Sequence, residues 1–304
     1  MNSRLPFAVL AIACALAAGP AAAQFENAAP VPFDRVIYEV KPSEADPAIA
    51  RFDEPNLVVF NRSSGDHPEL VVFMPGTHGK PRNARLLLGV VANLGYRVIG
   101  IEYNDEPAVA QVCPRDPNPR CSGDFRRKRI FGDDVTDVVD NTPQEAIVVR
   151  LVKLLQYLDA QHPGEHWGDY LKAGEPDWSR IVVSGLSQGA GMAAYIAKKK
   201  AVARVVLFSS PWDFTGRSRD VAAWIFEPSA TPPERWFAEY HRRENTAEYI
   251  VRAYRALGIP EANIRVFDAD LPPRHPSENP YHGSTIVLPV YIPDWQAMFG
   301  EAPK

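Results

Sequence analysis

Residues 180–195 read RIVVSGLSQGAGMAAY. Ile181-Val-Val-Ser184 is an apolar run of the kind found in buried strands, and the small residues from Ala190 onward suit a closely packed helix. Between them stands Gly185-Leu186-Ser187-Gln188-Gly189. Glycine is unfavourable inside a helix and weakens a strand, so a pair flanking one serine marks a backbone that must turn sharply. In the context strand, Gly-x-Ser-x-Gly, helix, such a turn holds the serine hydroxyl up at the tip, where it can act as a nucleophile. Ser187 is therefore the candidate around which the rest of the chain is read.

Working outward, strand and helix patterns alternate. Val36–Val40 and Asn56–Phe60 read as two early strands paired antiparallel. Leu70-Val-Val-Phe-Met74 is a continuous apolar run, as in a strand covered on both faces. Residues 82–94 read as a helix stopped by Gly95, followed by a strand over 96–103. Thr142-Pro143-Gln-Glu145 opens a helix with a capping pattern, and apolar residues at 147, 148, 151, 154, 155 and 158 give it a core face. Further strands are expected at 181–184, 204–209, 236–240 and 263–267, with helices after Ser187 and over 246–257. This alternation predicts an α/β fold: a mostly parallel central sheet with helices on both faces. Ligands bind such sheets beyond the carboxyl ends of the strands, so the chemistry is expected just after Met74, Ser184, Ser209, Tyr240 and Phe267. Two long connections interrupt the pattern. Residues 104–142 form a Pro-rich insertion, and 210–234 an aromatic excursion that leaves the catalytic edge and returns to it.

Composition narrows the function. The 304 residues are 46% hydrophobic and 23% charged with a net charge of −4, an ordinary globular balance that gives no support to a nucleic-acid partner. The run Arg126-Arg-Lys-Arg129, followed by Asp133-Asp134, reads as a solvated turn. At the N-terminus, Arg4, the apolar run Leu5–Ala18 and Ala21-Ala-Ala23 have the form of a secretory signal peptide over 1–23, leaving a mature domain of 24–304. Cys14 leaves lipoprotein processing as an alternative. No other stretch is long and apolar enough to span a membrane. With the leader removed, Cys113 and Cys121 remain, bracketing VCPRDPNPRC, and in an exported protein they read as a disulfide contributing roughly 2–3 kcal/mol. No further ligands stand nearby for a metal.

A serine hydroxyl needs a base and the base needs an orienting acid. Seven histidines are available. His67, His162 and His166 read as surface residues, His78 follows the strand ending at Met74 and can line a pocket, and His241 closely follows a short strand. His275 and His282 both follow the last strand. His282, in the turn-rich Asn279-Pro-Tyr-His-Gly-Ser284, is preferred to His275. For the acid, Glu244 follows the strand 236–240 and is preferred, while Asp213 follows the strand before it and remains the alternative. Trp212 and Phe214, beside Asp213, are candidate substrate contacts together with His78.

From about residue 36 to 299 the chain resembles the α/β-hydrolase superfamily, on FMPGTHG (73–79), GYRVIGIEYN (95–104), WSRIVVSGLSQGAG (178–191), RVVLFSSPWDF (204–214) and the late YHG (281–283). It looks most like secreted bacterial serine hydrolases of largely unassigned substrate that carry a Pro-Gly-Thr-x-Gly loop. In that group the acid is an aspartate in a His-x-x-Asp motif, matched here by His241-Arg-Arg-Glu244 with glutamate in its place. The histidine's usual Ala-His-Gly appears as Tyr281-His282-Gly283. The resemblance implies an oxyanion hole built from the backbone N–H groups of Thr77 and Gln188. The reading is an exported serine hydrolase for small-molecule or polymeric carboxylic esters, needing no metal or organic cofactor. A peptidase or amidase with the same residues, and a non-catalytic binding protein on the same scaffold, stay as alternatives.

Overall fold

The computed structural model describes residues 34–64, 67–216, 219–271 and 278–300; the expected leader and His275 lie outside these residues. Eight strands make the central sheet: β1 (Arg35–Val40), β2 (Asn56–Asn61), β3 (Leu70–Met74), β4 (Arg97–Gly100), β5 (Ile181–Leu186), β6 (Arg204–Phe208), β7 (Trp236–His241) and β8 (Ile264–Phe267). Their order is β1-β2-β4-β3-β5-β6-β7-β8. β2 pairs antiparallel with β1 and β4, and every other neighbouring pair is parallel. Only β2 runs against the rest. The ends of β3, β5, β6, β7 and β8 consequently share one edge.

The helices of two turns or more are α1 (Arg85–Asn93), α2 (Cys121–Phe131), α3 (Ile147–Gln161), α4 (Gln188–Lys199), α5 (Ala247–Leu257) and α6 (Ile292–Phe299). They cover both faces, and the strand residues divide between the two covers by strict alternation. Leu70, Val72 and Met74 face one apolar cluster with Val183, Leu207, Ala193, Leu154 and Tyr254. Val71 and Phe73 face the other with Val182, Phe208, Leu87, Val91, Trp295 and Phe299. A strand with both faces buried needs apolar residues at every position, which is why the central runs show no polar alternation.

Two sequence expectations are corrected here. The basic run 126–129 is not a solvated turn: it lies in α2, with Arg126 and Arg129 buried and Arg127 exposed to solvent. The helix hides its polarity by pointing the two buried guanidinium groups at fixed acceptors. Arg129 donates to the carbonyls of Glu106 (2.7 Å) and Pro107 (2.9 Å), which fastens the loop after β4. His67 and His162 are half-buried and not freely exposed, each ring stacking on a tyrosine, His67 on Tyr96 at 3.7 Å and His162 on Tyr38 at 4.2 Å. The expected disulfide is formed between Cys113 and Cys121, joining the start of α2 to the turn before it. Among the described residues no helix is long and apolar enough to cross a membrane.

Candidate active site

Ser187 sits between β5 and α4 with φ 54° and ψ −119°. A non-glycine residue in that region stores roughly 1–3 kcal/mol of strain, which the surrounding packing must hold in place. Its neighbours show how. A Cβ on Gly189 would come 1.9 Å from the carbonyl oxygen of Met74, so α4 can pass the end of β3 only with glycine there. A Cβ on Gly191 would come 2.2 Å from the Arg126 guanidinium, so this second glycine makes room for the buried arginine. The Ser187 N–H donates to the carbonyl of Phe208 at 2.9 Å, locking the turn to the end of β6.

The loop after β3 arrives from the other side, placing Gly76 against Ser187. Thr77, Ser187 and Gln188 line one small cavity, closed by Val109, Trp212 and the Arg126–Asp213 pair. Gln188 opens α4, so its N–H is one of the first-turn donors that have no partner within the helix. Its side chain does different work. The amide accepts from the Val109 N–H at 2.9 Å and donates to the carbonyls of Asp105 and Pro107, tying the cavity wall to the elbow.

The structure separates the two candidate acids. Glu244, fully buried at its side chain, accepts from His282 Nδ1 at 2.7 Å, from the Ser209 hydroxyl at 2.6 Å and from the His241 N–H at 2.8 Å. With Nδ1–H given to a carboxylate, the lone pair of His282 lies on Nε2, the tautomer a general base requires. Asp213 is engaged elsewhere. Both its oxygens take hydrogen bonds from Arg126, at 2.7 and 2.6 Å, and one also takes the Trp224 indole N–H at 2.9 Å. It is the partner of a buried cation, so the alternative acid loses its geometric basis. His282 reaches the elbow through short links: its carbonyl lies 3.5 Å from Ser209 Oγ, one residue beyond the Phe208 that binds Ser187. Among the described residues the Ser187 hydroxyl makes no hydrogen bond to the ring. Such contacts commonly tighten only when substrate is bound.

The remaining candidates are placed as follows. Trp212 lines the Ser187 cavity. Phe214 packs edge-on against Tyr249 at 4.7 Å and is not part of that lining. His78 is largely exposed and bonds Glu106 at 2.7 Å, also outside it. Trp224 and Ile225 of the excursion are core residues, and Phe226 is exposed. The excursion therefore presents one aromatic ring, Trp212, to the serine cavity where Trp212 and Phe214 were both expected. His241 is buried and accepts from the Arg243 N–H while bonding Ala269 O, so it braces the Glu244 turn; its ring stacks on Tyr281, next to His282. Burial lowers its pKa. Sequence reasoning passed over Arg126 and Ser209 as site residues. For Arg126 a signal existed, since Ser122, Phe125, Arg126, Arg129 and Ile130 fall on one helical face once arginine is allowed to point inward.

Asp105, in the loop that Gln188 holds, is 1% exposed with both carboxyl oxygens unpartnered. Burial pushes its carboxyl from the ordinary 3.8 to about 6. The folded protein thus keeps a proton that the unfolded chain releases, so this group's contribution to stability falls as pH rises from 3.8 to about 6 and is constant above. Asp105→Asn removes that slope. Melting temperatures of both proteins across this range should show the wild type losing ground to the variant as pH rises; parallel curves would refute the assignment.

An eight-stranded sheet in this order, with only its second strand reversed and a strained serine between β5 and the next helix, is the α/β-hydrolase fold. Solved structures similar to this chain include a mutant of an esterase, at 17% identity and TM-score 0.45, covering 88% of this chain and 82% of that one. A hormone-sensitive lipase from a metagenome library aligns at 10% identity and TM-score 0.44, over 88% and 84% of the two chains. A cold-adapted esterase from an Arctic intertidal metagenomic library aligns at 11% identity and TM-score 0.45, over 82% and 88%. No family model and no curated protein matches the sequence. Among the described residues no cluster of three or more His, Cys, Asp or Glu side chains is placed to hold a metal ion.

Proposed function

We propose that this protein is a serine hydrolase acting on carboxylic esters, with Ser187 as nucleophile. The observation that carries the reading is the strained serine at the sheet edge, with the Glu244–His282 pair tied to the end of β6 through Ser209. Ser187 attacks the acyl carbon, His282 takes its proton and then gives it to the departing alcohol, and Glu244 stabilises the imidazolium. The N–H groups of Thr77 and Gln188 are the proposed donors to the oxyanion, a contribution worth roughly 3–4 kcal/mol per donor. Water then releases the acid from the acyl-enzyme. The reading is tested by treating the protein with a fluorophosphonate: it predicts one covalent adduct, on Ser187, and the absence of any adduct would overturn it. The disulfide further supports export, since such bonds persist in oxidising compartments.

The cavity lined by Thr77, Ser187 and Gln188 offers about 20 Å³, room for one water-sized atom, which suits the oxygen that the proposed N–H donors would receive. Arg126 is a poor recruiter of a charged group, because Asp213 neutralises it and takes two of its five N–H donors, the Gln188 carbonyl taking a third.

A further inference from the structure

Behind the Glu244–His282 pair lies a second carboxyl that the mechanism does not use. Glu239, on β7, is fully buried. Its Oε1 stands 3.4 Å from the Ser209 hydroxyl, the same hydroxyl that donates to Glu244 at 2.6 Å. Its other oxygen, Oε2, is buried without a hydrogen-bond partner. The same Ser209 hydroxyl lies 3.5 Å from the His282 carbonyl. One hydroxyl thus stands between Glu239, the acid Glu244 and the backbone that carries the histidine. The backbone around Glu239 is pinned as well, with the Tyr254 hydroxyl donating to the Glu239 carbonyl at 2.7 Å and the Ser209 N–H to the same carbonyl at 3.1 Å.

We propose that Glu239 is a positioning residue for the catalytic pair, acting as a neutral carboxylic acid that orients Ser209 toward Glu244. This rests on the serine-hydrolase reading above. The proton count requires it. Ser209 has a single hydroxyl proton, and the shorter bond to Glu244 takes it, so the contact with Glu239 needs a proton from the Glu239 side. An ionised Glu239 would face a second carboxylate across one hydroxyl in a fully buried site. Burial, and then the charge of Glu244, push the Glu239 carboxyl well above the usual carboxylate range, in the same direction. The titratable groups around it are Glu244 and His282, with Tyr254 from α5 and Tyr291 before α6.

The role separates from simple core filling by exchanging the donor and the shape independently. Glu239→Leu fills the space without a donor, while Glu239→Gln supplies an N–H where the acid supplied its O–H. On p-nitrophenyl acetate, Glu239→Leu should lower kcat about a hundredfold with KM nearly unchanged, the scale of a small misplacement of reacting groups. The acid limb of its kcat/KM profile should move to higher pH, because Glu244 loses an oriented donor and holds the imidazolium more strongly. Glu239→Gln should recover most of the lost rate and keep the wild-type limb. A Glu239→Leu protein with wild-type rate and profile overturns the proposal. So does a Glu239→Gln protein as impaired as the leucine variant, or one whose acid limb moves to lower pH, since either would mean that an ionised carboxylate is needed. If Glu239→Leu does not fold, Ser209→Ala carries the same test: loss of rate with the upward-shifted limb is expected, and unchanged kinetics overturn the link. Fluorophosphonate labelling of the wild type keeps the two readings apart. A labelled, active wild type with unaffected variants removes the role of Glu239 alone, whereas an unlabelled wild type removes the hydrolase reading beneath it.

Discussion

Exchanging Ser187 for alanine should lower ester hydrolysis about a millionfold while the protein stays folded, the loss seen when the nucleophile of a Ser-His-acid site is removed. The expectation follows from how the elbow is built. The φ of 54° is imposed by contacts that do not involve the hydroxyl: Gly189 passing the Met74 carbonyl, and the Ser187 N–H bonded to Phe208. Alanine keeps all of them, so circular dichroism and the melting temperature should match wild type. The oxyanion donors also survive, which leaves a small residual rate over water. The measurements are turnover of p-nitrophenyl acetate and mass-detected fluorophosphonate labelling. A Ser187→Ala protein that retains hydrolysis, or still takes the label, would remove Ser187 from the reaction.

Glu244→Gln should cost about ten-thousandfold in kcat with little change in stability, because an amide in place of the carboxylate turns the histidine into the wrong tautomer. A glutamine placing its N–H₂ toward Nδ1 leaves the His282 proton on Nε2, where it points at the serine and cannot accept. The amide oxygen can still receive the Ser209 and His241 donors, so the turn should hold. Asp213→Asn makes the contrasting case. It deprives Arg126, which is 1% exposed, of its counter-charge, and breaking a buried pair from one side costs about 3–5 kcal/mol. The expected result is a melting temperature lower by roughly ten degrees, with activity at low temperature falling far less than in Glu244→Gln. Both variants assayed on one substrate and melted side by side decide between the acids. A stable Asp213→Asn protein with the ten-thousandfold defect would reverse the assignment.

The physical origin of that contrast also shows where sequence reading reached and where it stopped. Leu70–Met74, Ile181–Ser184 and Arg204–Ser209 were legible as strands because a strand buried on both faces must be apolar throughout, whatever surrounds it. The strained turn was legible at Ser187 because only glycine suits its close approaches, and a closely spaced cysteine pair was legible as a disulfide because its loop is short. These are local requirements, and a chain carries local requirements in consecutive letters.

What the tertiary structure decided are the pairings between distant segments. Arg126 and Asp213 are 87 residues apart, and each alone looks like a surface charge. Burial became affordable for both only when α2 packed against α4 at Gly191 and brought the charges together. In the same way Glu244 and Asp213 are both carboxylates just past a strand, and a linear reading prefers Glu244 only for its strand position. The ranking comes from which cation or imidazole the fold sets within hydrogen-bond distance: Arg126 for Asp213, His282 for Glu244. The sequence by itself determined the sheet, the elbow and the identity of the candidate nucleophile. The folded chain alone decided which acid meets the histidine, which arginine is buried, and that Glu239 stands behind them, because the energy of a buried charge depends on a partner that no local stretch of sequence contains.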